Sequence, residues 1–180
     1  MTIIVKLVYS RHRYQGEQGV DKREFVIRPA QEKDAEAIAA LMRDLTHFEG
    51  TATSKLEAED VKRDGMGRRF RVLVAEAAKE AIGVLAYYPG YDLASASPGT
   101  HLADLFVTES WRGIGVGRAL AARLARETLQ EGGRWISWTV LTGNREGRLF
   151  YHRLGGQEVP VRFMAMGREK MRILAGDEGE

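Results

Sequence analysis

The sequence predicts an α/β protein built on a mixed sheet. Two strand-like stretches, Arg71-Val72-Leu73-Val74-Ala75-Glu76 and Ala81-Ile82-Gly83-Val84-Leu85-Ala86-Tyr87-Tyr88, are joined by a short charged link and read as an antiparallel hairpin. From His101 to Leu141 a strand, a helix and a second strand succeed one another, the order of a β-α-β crossover. The 180 residues, 44% of them apolar, suffice for one well-packed domain and are too few for two of ordinary size.

Taken in chain order, Ile3 to Tyr9 is a short β-like run interrupted by Lys6; it meets Arg11 and Arg13 without a small-residue cleavage site and is a poor signal peptide. Residues 1–22 are expected to be an extension, either an edge strand or disordered; the domain is expected over 23–174 and a tail over 175–180. Phe25-Val26-Ile27 predicts a strand stopped by Arg28-Pro29, because proline cannot continue a ladder and restricts the residue before it. From Asp34, the apolar residues Ala35, Ile38, Leu41, Met42 and Leu45 recur at helical spacing, with Asp34 and Glu36 near the positive end of the helix dipole. A more polar helix is expected over 56–64, ending at Gly65. After the hairpin and a loop rich in Ser, Pro and Gly, a strand is expected over 101–107. A helix over 117–131 carries Leu120, Leu124 and Thr128 on one face and ends at Gly132-Gly133. Strand 135–141, a short helix 146–154 and a final strand 161–166 complete the pattern.

Charge and composition exclude several classes. Lys and Arg number 27 against 25 Asp and Glu, and the net charge of +2 is too small to imply a polyanion partner, so nucleic acid is not expected. Trp111, Trp135 and Trp138 lack the basic-aromatic interleaving of a base-stacking platform. No run approaches the ~20 apolar residues of a membrane helix, so no membrane association is expected. With no cysteine the chain has no disulfide, thiolate metal site or cysteine nucleophile, which fits a reducing cytoplasm. His12, His47, His101 and His152 show no metal-ligand spacing, so no metal is expected.

The chemistry concentrates in Arg112-Gly113-Ile114-Gly115-Val116-Gly117-Arg118, between a strand and a helix. Glycines there let backbone N–H groups turn toward a ligand while the helix directs its positive end at the same spot, which makes a pyrophosphate cradle. The plain alternative is a glycine-rich turn with no ligand. The segment lacks the Gly-Lys-Ser/Thr ending of a nucleotide P-loop. It also comes after four strands, whereas a dinucleotide-binding unit opens with its glycine loop in an early β-α unit.

This arrangement resembles the GNAT acetyltransferase superfamily, whose Arg/Gln-x-x-Gly-x-Gly/Ala signature is met by Arg112, Gly115 and Gly117. Downstream, Asn144 to Gly155 is similar to the family's Asn-x-x-x-x-x-Phe-Tyr-x-x-x-Gly element. Upstream, Phe25 to Ala30, Phe48-Glu49, Leu73 to Glu76 and Leu102 to Val107 are similar, in order and approximate spacing, to the diamine (spermidine/spermine) N-acetyltransferase branch. The resemblance implies a GNAT fold, a mixed and mostly antiparallel central sheet of about seven strands flanked by helices and splayed in the middle to hold CoA. It implies direct acetyl transfer from acetyl-CoA to a primary amine of a small cationic substrate, without an acyl-enzyme, by a homodimer. By the same resemblance Leu105, Phe106 and Val107 hold the pantetheine arm and polarise the thioester carbonyl. Arg112, Gly113, Ile114, Gly115, Val116, Gly117 and Arg118 bind the pyrophosphate, and Asn144 and Gly147 flank the far side of the arm.

Tyr151 is the expected general acid for the departing thiolate, since a phenol near pKa ~10 and a thiol near ~8.5 are close enough for that transfer. Gly147, one turn earlier, leaves its hydroxyl room; packing beside Phe150 is the alternative. The chain departs from the branch at Ala103, where the family carries a glutamate that binds and helps deprotonate the amine. Asp104, His101, Glu49 and Asp92 are candidates to take that proton, and Phe48, Glu49, Asp92 and Asp104 to hold the amine. The missing aromatic channel residues disfavour a long polyamine against a diamine, an amino acid side chain or an aminosugar. A protein or peptide acceptor, or a CoA-binding sensor without turnover, are the alternatives.

Overall fold

A computed structural model of the chain describes residues 24–50 and 52–176, so the expected 1–22 extension and residues 177–180 of the expected tail lie outside the described residues. The chain divides into two units, Met1–Asn144 and Arg145–Glu180. In the first, β1 (Val26–Pro29), β2 (Arg71–Ala77), β3 (Glu80–Asp92), β4 (Ser97–Val107) and β5 (Ile136–Ser137) form one sheet in sequence order. All neighbours are antiparallel except β4 and β5, which the crossover helix α3 (Val116–Gln130) makes parallel. β1 runs through Pro29 rather than stopping before it, because β1 has one partner strand and a proline tolerates the other, edge side.

Period-two alternation divides the sheet into two faces. Val72, Val74, Val84 and Phe106 form one buried cluster with Ala35, Ile38, Leu41 and Leu45 of α1 (Ala35–Phe48) and Val61 of α2 (Ala58–Asp64). The intervening Leu73, Ala75 and Leu85 are fully buried on the opposite face. There α3 packs with Val116, Leu120, Leu124 and Thr128 inward, and the Thr128 hydroxyl donates to Thr100 Oγ1 at 2.9 Å. Each such aliphatic side chain contributes about 1.5–3 kcal/mol by leaving water. Arg28 anchors the edge: it grips Asp34 at 2.6 and 2.9 Å and Glu76 at 2.9 Å, which ties β1 and β2 to the start of α1 and holds the Asp34 carboxyl below its ordinary range.

Further expectations on strands need correction. The sheet has five strands among the described residues, not about seven. The Ser-Pro-Gly stretch is strand rather than loop: Gly90 and Gly99 are cross-strand partners roofed by the Trp135 indole, which a Cβ on Gly99 would approach to 2.1 Å. β5 is two residues long instead of spanning 135–141, since it pairs with β4 only at Thr100–Ile136 and His101–Ser137.

In the second unit α4 (Arg145–Arg153) ends in Gly155 at φ +93°, a left-handed stop that glycine takes without cost, and α5 (Arg168–Leu174) has no counterpart in the sequence-based pattern. The expected strand 161–166 is irregular: its apolar side chains, Phe163 81% exposed among them, have no ladder among the described residues.

Candidate functional site

The site begins where β4 outruns β5. The Thr108 N–H donates back to Ile82 of β3, and N–H directions alternate along a strand, so Leu105 and Val107 aim theirs at the opposite edge. That edge carries no strand past His101 among the described residues. Phe106 differs from the expectation: its N–H lies in the β3 ladder opposite Val84, and its ring is buried under α1, so it supports the edge rather than lining it.

Between Ala86 and Tyr87 the β3–β4 register slips, leaving Ala103 as an extra residue on β4. This bulge re-aims the side chains on either side of it relative to one another. Without it Leu102, Asp104 and Phe106 would share a face. With it, Leu102 pairs with Tyr87 on the α3 face, while His101 and Asp104, opposite Tyr88 and Ala86, turn to the α1 face.

Glu49 caps the C-terminus of α1, its N–H bonded to Leu45 O at 2.9 Å, and its carboxyl comes close enough to Asp104 to feel that charge. Burial pushes the Asp104 carboxyl up, opposed by His101; burial and then the Asp104 charge push Glu49 up. His101 stacks at 4.9 Å on Tyr88 and places Nδ1 3.1 Å from Ser137 Oγ, a partner the sequence did not suggest. Asp92 is not brought to these acids. Six positions along β3 from Ala86, about 20 Å at strand rise, its carboxylate closes the hairpin by accepting from Ala94 N–H at 3.0 Å and Ser95 Oγ at 2.5 Å, which lowers its pKa.

The glycine segment forms the other half. Gly113 (φ +77°) and Gly115 (φ +95°, the N-cap of α3) take left-handed conformations with open space around their missing side chains. Gly113 to Arg118 lead into α3, whose first turn leaves backbone N–H groups without intrahelical acceptors. Such donors at the positive end of a 15-residue helix, beside two glycines with room around them, fit the diphosphate of a CoA thioester. Arg112 is engaged elsewhere: Nε donates to Val107 O at 2.9 Å, and the guanidinium lies 4.4 Å from the Phe48 ring centroid and 5.4 Å from that of Phe106.

Asn144 closes the first unit, its N–H on Leu141 O at 2.8 Å. In the second unit Tyr151 and Gly147 lie on α4; the Tyr151 ring is half-buried and edge-on to Phe150 at 5.1 Å. His152 Nε2, 3.0 Å from Glu158 Oε1, faces outward with Arg148.

The chain is similar to known acetyltransferases. The family model described as acetyltransferase (GNAT) matches residues 36–156. The chain is 32% identical over 165 residues to the thialysine N-epsilon-acetyltransferase of Mus musculus, which covers 83% of this chain and 96% of the mouse protein. It is 28% identical over 116 residues to an L-ornithine N5-acetyltransferase of Arabidopsis thaliana, covering 63% of this chain and 48% of that protein. The fold also superposes, with a TM-score of 0.69 at 21% identity, on an aminoglycoside acetyltransferase from an uncultured soil metagenomic sample, over 80% of this chain and 97% of that one.

Proposed function

The chain belongs to the acetyltransferase (GNAT) family, and on that premise we propose how its own residues carry out N-acetylation of a small cationic amine. The family transfers acetyl from acetyl-CoA, which supplies it as a thioester. The acceptor class we favour is the side-chain amine of a lysine- or ornithine-like amino acid; the thialysine and ornithine enzymes among its relatives support this, and so does the compact acid pair.

The observation that carries the reading is the pairing of Asp104 with Glu49 on the face that the Ala103 bulge exposes. An alkylammonium of pKa ~10 cannot attack until it loses a proton. Two half-buried carboxylates with raised pKa values attract the cation and then accept its proton, directly or through water, more readily than an ordinary surface acid. They replace the glutamate absent at Ala103. His101, tethered to Ser137 and Tyr88, borders the pair without being required to move a proton. The outward N–H groups of Leu105 and Val107 receive the charge that develops on the thioester oxygen, and the Gly113–Arg118 donors hold the diphosphate. Tyr151 gives its proton to the leaving thiolate, and Asn144 and Gly147 flank the arm.

The partner in solution is a second copy. Val159, Val161 and Phe163, 72–81% exposed on the irregular stretch before α5, offer the apolar surface that a twin segment covers.

Thiol release measured with thialysine, L-ornithine, L-lysine, putrescine, spermidine, an aminoglycoside and a lysine peptide tests the reading. Turnover is expected with the amino acids first. A response confined to the peptide refutes the acceptor, and CoA binding with no product from any amine refutes catalysis.

A further inference from the structure

The first residue of the glycine signature, Arg112, is expected from the sequence to bind phosphate. Its side chain is turned the other way. Nε is committed to the Val107 carbonyl at 2.9 Å, and the planar guanidinium lies over Phe48 at 4.4 Å and Phe106 at 5.4 Å. Val107 ends β4, Phe106 belongs to the α1-side core, and Phe48 is the last residue of α1, immediately before Glu49. Phe48 is 48% exposed and has no place in the buried cluster beneath α1.

We propose that Arg112 is a positioning residue for the acceptor rather than a phosphate ligand: its guanidinium joins the coenzyme loop to the C-terminal end of α1, and through Phe48 it sets where Glu49 stands relative to Asp104. The backbone of residues 113–118 then serves the coenzyme, while the side chain one residue earlier serves the amine. A planar, forked cation suits this because one edge donates to a carbonyl while the face stacks on aromatic rings, which an ammonium cannot reproduce. The inference rests on the reading that Glu49 and Asp104 hold the acceptor.

The test is a cycle of Arg112→Met, Arg112→Lys, Phe48→Leu and the Arg112→Met/Phe48→Leu double variant. Steady-state kinetics use thialysine as acceptor, and isothermal calorimetry measures CoA affinity. Arg112→Met is expected to raise the KM for thialysine five-fold or more with CoA affinity within two-fold of the wild type. Phe48→Leu is expected to do the same more mildly, and the double variant no worse than Arg112→Met, because both remove one contact. Arg112→Lys is expected not to rescue the amine KM. A phosphate-ligand role predicts the reverse: CoA affinity falls with Arg112→Met, is restored by Arg112→Lys, and the Phe48 effect adds independently. Any of those three results overturns the proposal. Should Arg112→Met not fold, Arg112→Lys and Phe48→Leu decide it alone. Should the wild type acetylate no amine, the acceptor reading has failed, and calorimetry on the variants still decides whether Arg112 binds the coenzyme.

Discussion

Replacing Gly115 by alanine isolates what a left-handed backbone contributes to coenzyme binding. At φ +95° and ψ 0° Gly115 is the N-cap of α3, and a Cβ built there meets nothing within 4 Å. The cost of alanine is therefore conformational, about 1–2 kcal/mol for an L-residue held in that region. The free loop escapes the strain by rotating a peptide, but that rotation turns N–H groups away from the diphosphate. The bound state must restore them, so the strain weakens binding. At 1.4 kcal/mol per factor of ten, 1–2 kcal/mol corresponds to a CoA affinity weakened about 5–30-fold. Calorimetric titration of CoA, with the KM for acetyl-CoA at saturating amine, is the assay. Asparagine, which tolerates positive φ better, is expected between glycine and alanine. The KM for the amine is expected to hold within two-fold. Gly167→Ala, at φ −78° with open space, is the control and changes neither constant. Wild-type CoA affinity in Gly115→Ala, or asparagine binding as poorly as alanine, refutes the reasoning.

Tyr151→Phe is expected to keep CoA affinity in calorimetry and lose about 10²-fold or more in kcat; an unchanged kcat removes Tyr151 from proton transfer. Asp104→Asn is expected to lower kcat/KM for the amine by about 10²-fold or more and to raise Tm near neutral pH. The sign of the second effect comes from burial: a carboxyl whose pKa is raised on folding binds its proton more tightly in the native state, so its ionised form detracts from stability once the pH exceeds the unfolded value. In the pH profile, the limb on which kcat/KM rises is expected above the ordinary carboxylate range, and Glu49→Gln should move it to lower pH by removing a like charge. A fall in Tm for Asp104→Asn, or a limb moving upward in Glu49→Gln, contradicts the pair.

Much of the fold was legible because it is written in short-range periodicity. The helix from Ala35 and the helix after Gly115 keep to their 3.6-residue stripes, and the hairpin from Arg71 reflects β propensity. The β strand at Ser97–Thr100 was illegible because two residue types read as loop, glycine and proline, interrupt it, and only the indole of Trp135, 36 residues from Gly99, explains why side chains are missing there. The strand expected at 161–166 is largely apolar but has no ladder among the described residues, and apolar composition does not supply a partner strand.

The sequence by itself determined the loop proposed to hold the coenzyme. A cradle of backbone N–H groups needs only glycines at set intervals before a helix, and those are contiguous in the chain. The acceptor half was decided by tertiary structure. Glu49 and Asp104 stand 55 residues apart, and each alone reads as a solvated acid. The extra residue at Ala103 turns Asp104 to the α1 face, and Arg112 reaches from the loop to Phe48, next to Glu49. Bulge and stacking depend on register and packing between distant segments, which no local pattern encodes, and it is there that the proposed acceptor site lies.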